Sequence, residues 1–435
     1  MSITSSKYTK AFIFLTTLFF LWGFITVLVD SLIPRIRELF TLTYFQAGLV
    51  QFAFFGAYLV LSIPSGFVLS KIGYKKGIVV GLLTMAIGCL LFYSAASYRS
   101  FSVFLVAYFV LAGGITILQV AANPYVAVLG EEQKASSRLN LAQAFNSLGT
   151  AIAPAFGALF LLSDSIKSSL EINALSETAK EAYYFKEAAA VQTPFLALAF
   201  FVFFLAIVFS FVKLPIILNE APKHGYAQLL QKKSLVMGAI GIFIYVGAEV
   251  AIGSYLVNYL DSLNLATVIR QSDFLSSIVK FVLGDELTSI DNYGILGAFV
   301  TLYWSGAMIG RFIGAYLTQK IKPSKVLMQF AIGAIMLVII SLNSTGLLSM
   351  FTILAVGLFN SIMFPTIFTL SLEGLEELKP QASGLLCTMI VGGAIIPPMF
   401  GYLTDVFGFQ MALTLIVLCY FYIFNFGRIK TKLNT

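Results

Sequence analysis

Gly149-Thr-Ala-Ile-Ala-Pro154-Ala-Phe-Gly157 and Gly393-Ala-Ile-Ile-Pro397-Pro398-Met-Phe-Gly401 decide the fold. Both lie in apolar runs, and both carry Gly, Pro and Gly at the same offsets. A second pair supports them. Gly66-Phe-Val-Leu-Ser70-Lys71-Ile-Gly73-Tyr-Lys75-Lys76 matches Gly314-Ala-Tyr-Leu-Thr318-Gln319-Lys320-Ile-Lys322, each a glycine, then a hydroxyl, then a basic turn. One such match is ordinary helix packing, because small residues let helices approach closely. Two matches in the same order, six apolar segments apart, indicate a duplicated half.

The rest of the chain gives that duplication a membrane setting. Hydrophobic residues make up 59% and charged residues 11% of 435, against roughly 25% charged in a soluble domain. In water such a chain would expose large apolar patches; in lipid it is appropriate. Twelve apolar segments follow, at 11–33, 44–70, 78–97, 101–129, 138–162, 194–217, 235–260, 293–319, 325–342, 347–372, 383–405 and 409–427. The polar stretch 218–234 divides six from six. It reads as a cytoplasmic linker between an N-terminal bundle, 1–217, and a C-terminal bundle, 235–435. The first segment has no small-residue cleavage pattern, so it is expected to be a span, not a removable signal.

Charge sets the orientation. With the N-terminus inside, 18 of the 27 Lys and Arg fall in inner segments and 8 in outer ones. Cytoplasmic loops collect basic residues, so both termini are expected in the cytoplasm. This also accounts for the net charge of +7 without nucleic acid. Cys89, Cys387 and Cys419 lie in apolar runs and read as small buried hydrophobes. The single His224 stands in a polar loop. No metal-ligand spacing and no nucleophile–base pair is legible, so neither an enzyme nor a cofactor is expected.

Ionisable residues inside a span are costly and mark function. Asp30 lies in the outer half of span 1, Glu249 near the middle of span 7, and Arg311 towards the cytoplasmic end of span 8. Glu373, beside Glu376 and Glu377, reads as a residue of the water boundary. Arg311 reads as a gating or structural residue. A carboxyl in low dielectric can take and release a proton near neutral pH, or help hold Na⁺. Asp30 and Glu249 are therefore the expected cation-coupling pair, for H⁺ or Na⁺.

Carboxamides gather on spans 4 and 5. Gln119 and Asn123 are four apart beside Pro124, which frees a carbonyl and can kink the helix. Asn140, Gln143 and Ser147 form one polar stripe, with Asn146 at its edge. Carboxamides donate and accept, which suits paired sugar hydroxyls; interhelical bonding is the plain alternative. Tyr245, Tyr303 and Trp304 suit either a sugar ring or packing.

Two six-span repeats around a central loop describe the major facilitator architecture. The Gly66–Lys76 stretch resembles that superfamily's loop motif, although Ser70 stands where an acid is usual. The resemblance implies two bundles that rock about a central site. Leu118-Gln119-Val-Ala-Ala-Asn123-Pro124-Tyr125 with Arg138-Leu-Asn140-Leu-Ala-Gln143-Ala-Phe-Asn146-Ser147 resembles the fucose–galactose–glucose:proton symporter family, and Asp30 matches its first-span acid. That family's fucose symporters pair this aspartate with a fourth-span glutamate, where this chain has Gln119, which cannot titrate. Gln143 and Asn146 match sugar-contacting positions. Tyr245-Val-Gly-Ala-Glu249 and Asn360-Ser-Ile-Met-Phe-Pro365 look like the glucose/galactose branch, parts of which are sodium-linked.

The expectation is an all-α, twelve-span permease in a bacterial cytoplasmic membrane. It would import a hexose, glucose or galactose, with H⁺ or Na⁺, as a lipid-embedded monomer. Substrate residues would be Gln119, Asn123, Asn140, Gln143 and Asn146. The alternatives are an L-fucose or N-acetylglucosamine permease and a multidrug exporter; the polar stripe argues against the last.

Overall fold

The computed structural model describes residues 2–30, 44–98, 100–160, 175–215, 225–284 and 290–433. Among the described residues, nine helical stretches are long and apolar enough to cross a membrane. Two of them, Leu49–Tyr98 with 50 residues and Glu376–Leu433 with 58, are too long for one crossing. A 50-residue helix would run about 75 Å, whereas the hydrocarbon core is about 30 Å thick.

Each long stretch is broken by one glycine. Gly73 stands at φ 80°, ψ 165° and Gly408 at φ 82°, ψ 169°, a region essentially closed to side chains. The chain doubles back there. A Cβ on Gly77 would run into the Leu69 side chain. The rings of Phe400 and Phe409 are 6.4 Å apart, although nine residues of straight helix span about 13 Å. The two breaks share a frame: Gly66 and Gly401 each stand seven residues before the breaking glycine. The acid absent at Ser70 appears at the corresponding place in the later stretch, as Asp405.

Dividing these two gives eleven crossing helices among the described residues, and the less apolar Ala135–Phe160, which is not one of the nine, makes a twelfth. They are α1 Ser2–Asp30, α2 (44–72) and α3 (74–98), α4 Phe101–Val128, α5 Ala135–Phe160 and α6 Glu177–Phe211. After the linker come α7 Lys233–Ser262, α8 Asn292–Lys320 and α9 Pro323–Leu342. The tenth, α10, has two parts, Gly346–Asn360 and Met363–Leu372. The last two are α11, from Lys379 to residue 407, and α12 (409–433).

Two spans begin well before the hydropathy reading, the first of them at Ser2 where 11 was expected. The sixth, expected from 194, begins at Glu177. Ser176 caps it, accepting from the Ala179 N–H at 3.3 Å, and Lys180 pairs with Glu177 at 2.8 Å. Hydropathy measures the apolar length, here Gln192–Phe211, and does not see a charged extension of the same helix. Between α7 and α8 the chain forms two short helices, Leu265–Gln271 and Asp273–Leu283. The second buries Leu275 and Val279 while Phe274 and Phe281 are exposed.

By contact the chain groups into two compact units. One comprises 1–132, 145–231 and 372–389; the other comprises 133–144, 232–371 and 390–435. Each therefore contains a short strip from the other end of the sequence, and the two strips are the starts of α5 and α11. These are the helices that carry the repeated Gly-Pro-Gly pattern.

Within the first unit, α11 packs against α2 and α4. A Cβ on Gly384 would meet the Ser62 carbonyl at 2.6 Å, and one on Gly66 would meet the Pro380 carbonyl at 2.8 Å. Tyr226 covers the same place, its hydroxyl donating to the Ile63 carbonyl at 2.6 Å. Within the second unit, the start of α5 is bonded to α8 and α10. Ser137 Oγ donates to the Ala315 carbonyl at 2.6 Å, and Ser136 Oγ shares a hydrogen bond of 2.5 Å with Thr369 Oγ1.

Candidate functional site

In the second unit a glycine stripe sets the geometry. Gly306, Gly310 and Gly314 lie four apart along α8, and each faces α10. Side chains there would strike Leu358, Ser361 and Ile362. Small residues at this spacing let two helices approach backbone to backbone. Arg311 stands beside the stripe and so reaches the main chain of α10. Its Nε donates to the Ser361 carbonyl at 3.2 Å.

That carbonyl is available because of Pro365. In a helix the carbonyl of residue 361 would accept from the N–H of residue 365, and proline has none. Ser361 itself keeps helical angles, φ −45° and ψ −47°. The interruption of α10 therefore coincides with a missing helical hydrogen bond.

Arg311 also lies within electrostatic reach of Glu249 on α7. Tyr245, one turn earlier on the same helix face, stands against that carboxylate, and Tyr303 and Tyr420 lie within its electrostatic reach. Asn360 joins the group, donating from Nδ2 to the Tyr303 hydroxyl at 2.6 Å. Tyr245, Tyr303, Asn360 and Tyr420 are all essentially fully buried. Four atoms here have no hydrogen-bond partner among the described residues: Tyr245 Oη, Glu249 Oε1, Asn360 Oδ1 and Tyr420 Oη. Buried polar atoms are nearly always paired, so a cluster of exceptions marks a place that accepts something further.

The expected substrate carboxamides are divided between the units. Gln119, Asn123 and Pro124 lie on α4 in the first. Asn123 is fully buried, and Gln119 Oε1 is buried without a partner among the described residues. Pro124 frees the Val120 carbonyl, which accepts from Ser383 Oγ at 2.8 Å. Asn146 braces α5 against α1, donating to the Phe19 carbonyl at 2.9 Å, where Gly23 and Gly149 let the two helices touch. Asn140 and the buried Gln143 belong to the second unit. Asn140 donates to the Ser136 carbonyl at 2.8 Å and to Thr366 Oγ1 at 3.2 Å. Its Oδ1 has no partner among the described residues. Asp30 is the last residue of α1; its side chain lies outside the described residues.

A model of the Major Facilitator Superfamily matches residues 12–390. The chain belongs to that superfamily. It is 46% identical to a glucose/galactose transporter of Brucella abortus, over 99% of this chain and 96% of that one. It is 33% identical to the L-fucose-proton symporter of Escherichia coli, over 99% and 95%. A crystal structure of the facilitator FucP in the outward conformation superposes with a TM-score of 0.84 at 32% identity. That match covers 98% of this chain and 99% of the other.

In this facilitator, sequence reading singled out Glu249, Arg311, Tyr245 and Tyr303 separately, and the structure brings them together. Trp304 turns the other way. It is 45% exposed, meets Tyr303 edge-on at 5.1 Å and leans over Gly253. Asn360, Ser361 and Tyr420 were not recognised as site residues. A signal for Asn360 was present: it precedes Pro365 by five residues, as Gln119 precedes Pro124. Tyr420, in an apolar run, carried none.

Proposed function

We propose that this protein imports glucose or galactose with protons across a bacterial cytoplasmic membrane. Its two six-helix bundles, 1–217 and 235–435, are joined by a cytoplasmic linker, and both termini are cytoplasmic. It works by alternating access as a monomer in lipid. The observation that carries the reading is Glu249, a buried carboxylate with an open acceptor beside a guanidinium, in a chain whose relatives are named for hexose transport.

The proton is favoured over Na⁺ by the relatives, one of which is named an L-fucose-proton symporter. A proton can be taken up and released there without a coordination shell. Asp30 is the second coupling carboxylate in this reading. Gln119, Asn123 and Gln143 read sugar hydroxyls; Asn140 and Asn146 do so with whatever bonding capacity their helix contacts leave. Coupling requires that sugar and proton each bind better when the other is present.

The test is uptake in proteoliposomes with an imposed proton gradient, with and without Na⁺ at fixed pH, and with galactose, glucose, fucose and N-acetylglucosamine as competitors. Proton-driven accumulation blocked by galactose and glucose is expected. Accumulation that needs Na⁺, or a carrier indifferent to all four sugars, would overturn the reading.

A further inference from the structure

We propose that Pro365 is a positioning residue for ion coupling: by withholding an N–H from α10 it leaves open the Ser361 carbonyl that holds Arg311, the cation whose field acts on Glu249. This rests on the proton-coupling reading of Glu249 given above.

The geometry is specific. Ser361 keeps helical angles, so an N–H at position 365 would point back at the Ser361 carbonyl and close the ordinary helical bond. Arg311 Nε would then compete with that N–H for one oxygen. Guanidinium donors form a rigid planar fork. Fixing Nε on a neutral acceptor fixes where the guanidinium charge stands relative to Glu249, which lies within its electrostatic reach. The glycine stripe makes the contact possible, since a side chain at Gly310 would occupy the place of Ser361 Oγ and the Leu358 carbonyl.

Among the described residues, the titratable and charged groups within electrostatic reach of Glu249 are Tyr245 from its own helix, Arg311 and Tyr303 from α8, and Tyr420 from α12. Of these only Arg311 carries a charge, so its placement sets the charge–charge influence on the carboxylate, second to burial itself. Asn360 and Ser361 precede the proline on α10. One backbone substitution therefore couples the helix interruption to the charge pair.

The experiment compares two replacements at position 365 in the full-length carrier in proteoliposomes. Pro365→Ala restores the N–H. An amide-to-ester replacement, introducing lactic acid at the same position, removes the ring but supplies no N–H. The readouts are the pH profile of proton-driven galactose accumulation and the rate of sugar exchange without a gradient. The alanine variant is expected to displace the profile by about half a pH unit or more and to lower accumulation relative to exchange. The ester variant is expected to track the native carrier.

An alanine profile that coincides with the native one, or an ester variant displaced as far as alanine, would overturn the proposal. If the alanine variant does not reach the membrane, Arg311→Lys gives the same reading, because a lysine lacks the planar fork whose Nε the Ser361 carbonyl holds; an undisplaced profile there is equally fatal. Glu249→Gln, run beside them, isolates the underlying reading. Accumulation that survives that change defeats proton coupling at Glu249 whatever position 365 does.

Discussion

Ser383 donates its hydroxyl to the carbonyl of Val120 at 2.8 Å, and Pro124 is the reason that the carbonyl is open. The same relation holds in the other unit, where Arg311 takes the carbonyl that Pro365 leaves open at Ser361. In each case a proline four residues on creates an acceptor, and a side chain from another helix fills it. Ser383→Ala leaves a buried carbonyl unserved. We expect a loss of about 0.5–2 kcal/mol in stability, read as a lower midpoint of thermal unfolding in detergent. Ser383→Thr, which keeps the hydroxyl, should lose much less.

Glu249→Gln keeps the shape of the side chain and removes its charge. Accumulation of galactose against a gradient should fall at least about tenfold, the effect of some 1.4 kcal/mol, while exchange between equal sugar pools persists. Loss of both activities in a folded protein would mean that Glu249 serves the substrate instead.

Gly73 and Gly408 occupy backbone angles that only glycine takes readily. Alanine at either place should cost about 1–3 kcal/mol and reduce the folded yield. Asparagine, which rescues many left-handed positions, should fail as well, because ψ is 165° at Gly73 and 169° at Gly408. A normal yield of either asparagine variant would count against the sharp reversal at these sites.

The glycine stripe of α8 gives a steric test. Gly310→Val puts branched carbon against Leu358 and Ser361, so α8 and α10 must separate. We expect loss of proton-driven uptake together with a lower unfolding midpoint, since both the packing and the reach of Arg311 depend on that approach.

Much of this was legible in the chain. Apolar segments and their repeats gave the crossings, because lipid demands long apolar helices and leaves little other choice. Glu249 and Arg311 were visible for the same reason: a charge within a span has to be justified. What the sequence hid was partnership. Nothing in a one-dimensional pattern says that Arg311 meets the main chain of α10, or that Tyr420 joins Glu249. The carboxamides show the opposite limit. Asn140 and Asn146 looked like sugar readers, yet both donate to neighbouring helices, and residue type alone does not separate the two uses. The charged start of α6 escaped because hydropathy reports the solvent around a helix and not its length.

The two strips at the starts of α5 and α11 have a consequence for anyone building hybrids of such carriers. Joining the first half of one relative to the second half of another at the central linker does not join two finished modules. Each module would receive a splint cut for a different partner, with Ser136 and Asn140 facing a foreign α10, and Ser383 and Gly384 facing a foreign α4 and α2. Functional hybrids should therefore appear when the splints are transplanted together with the surfaces they serve.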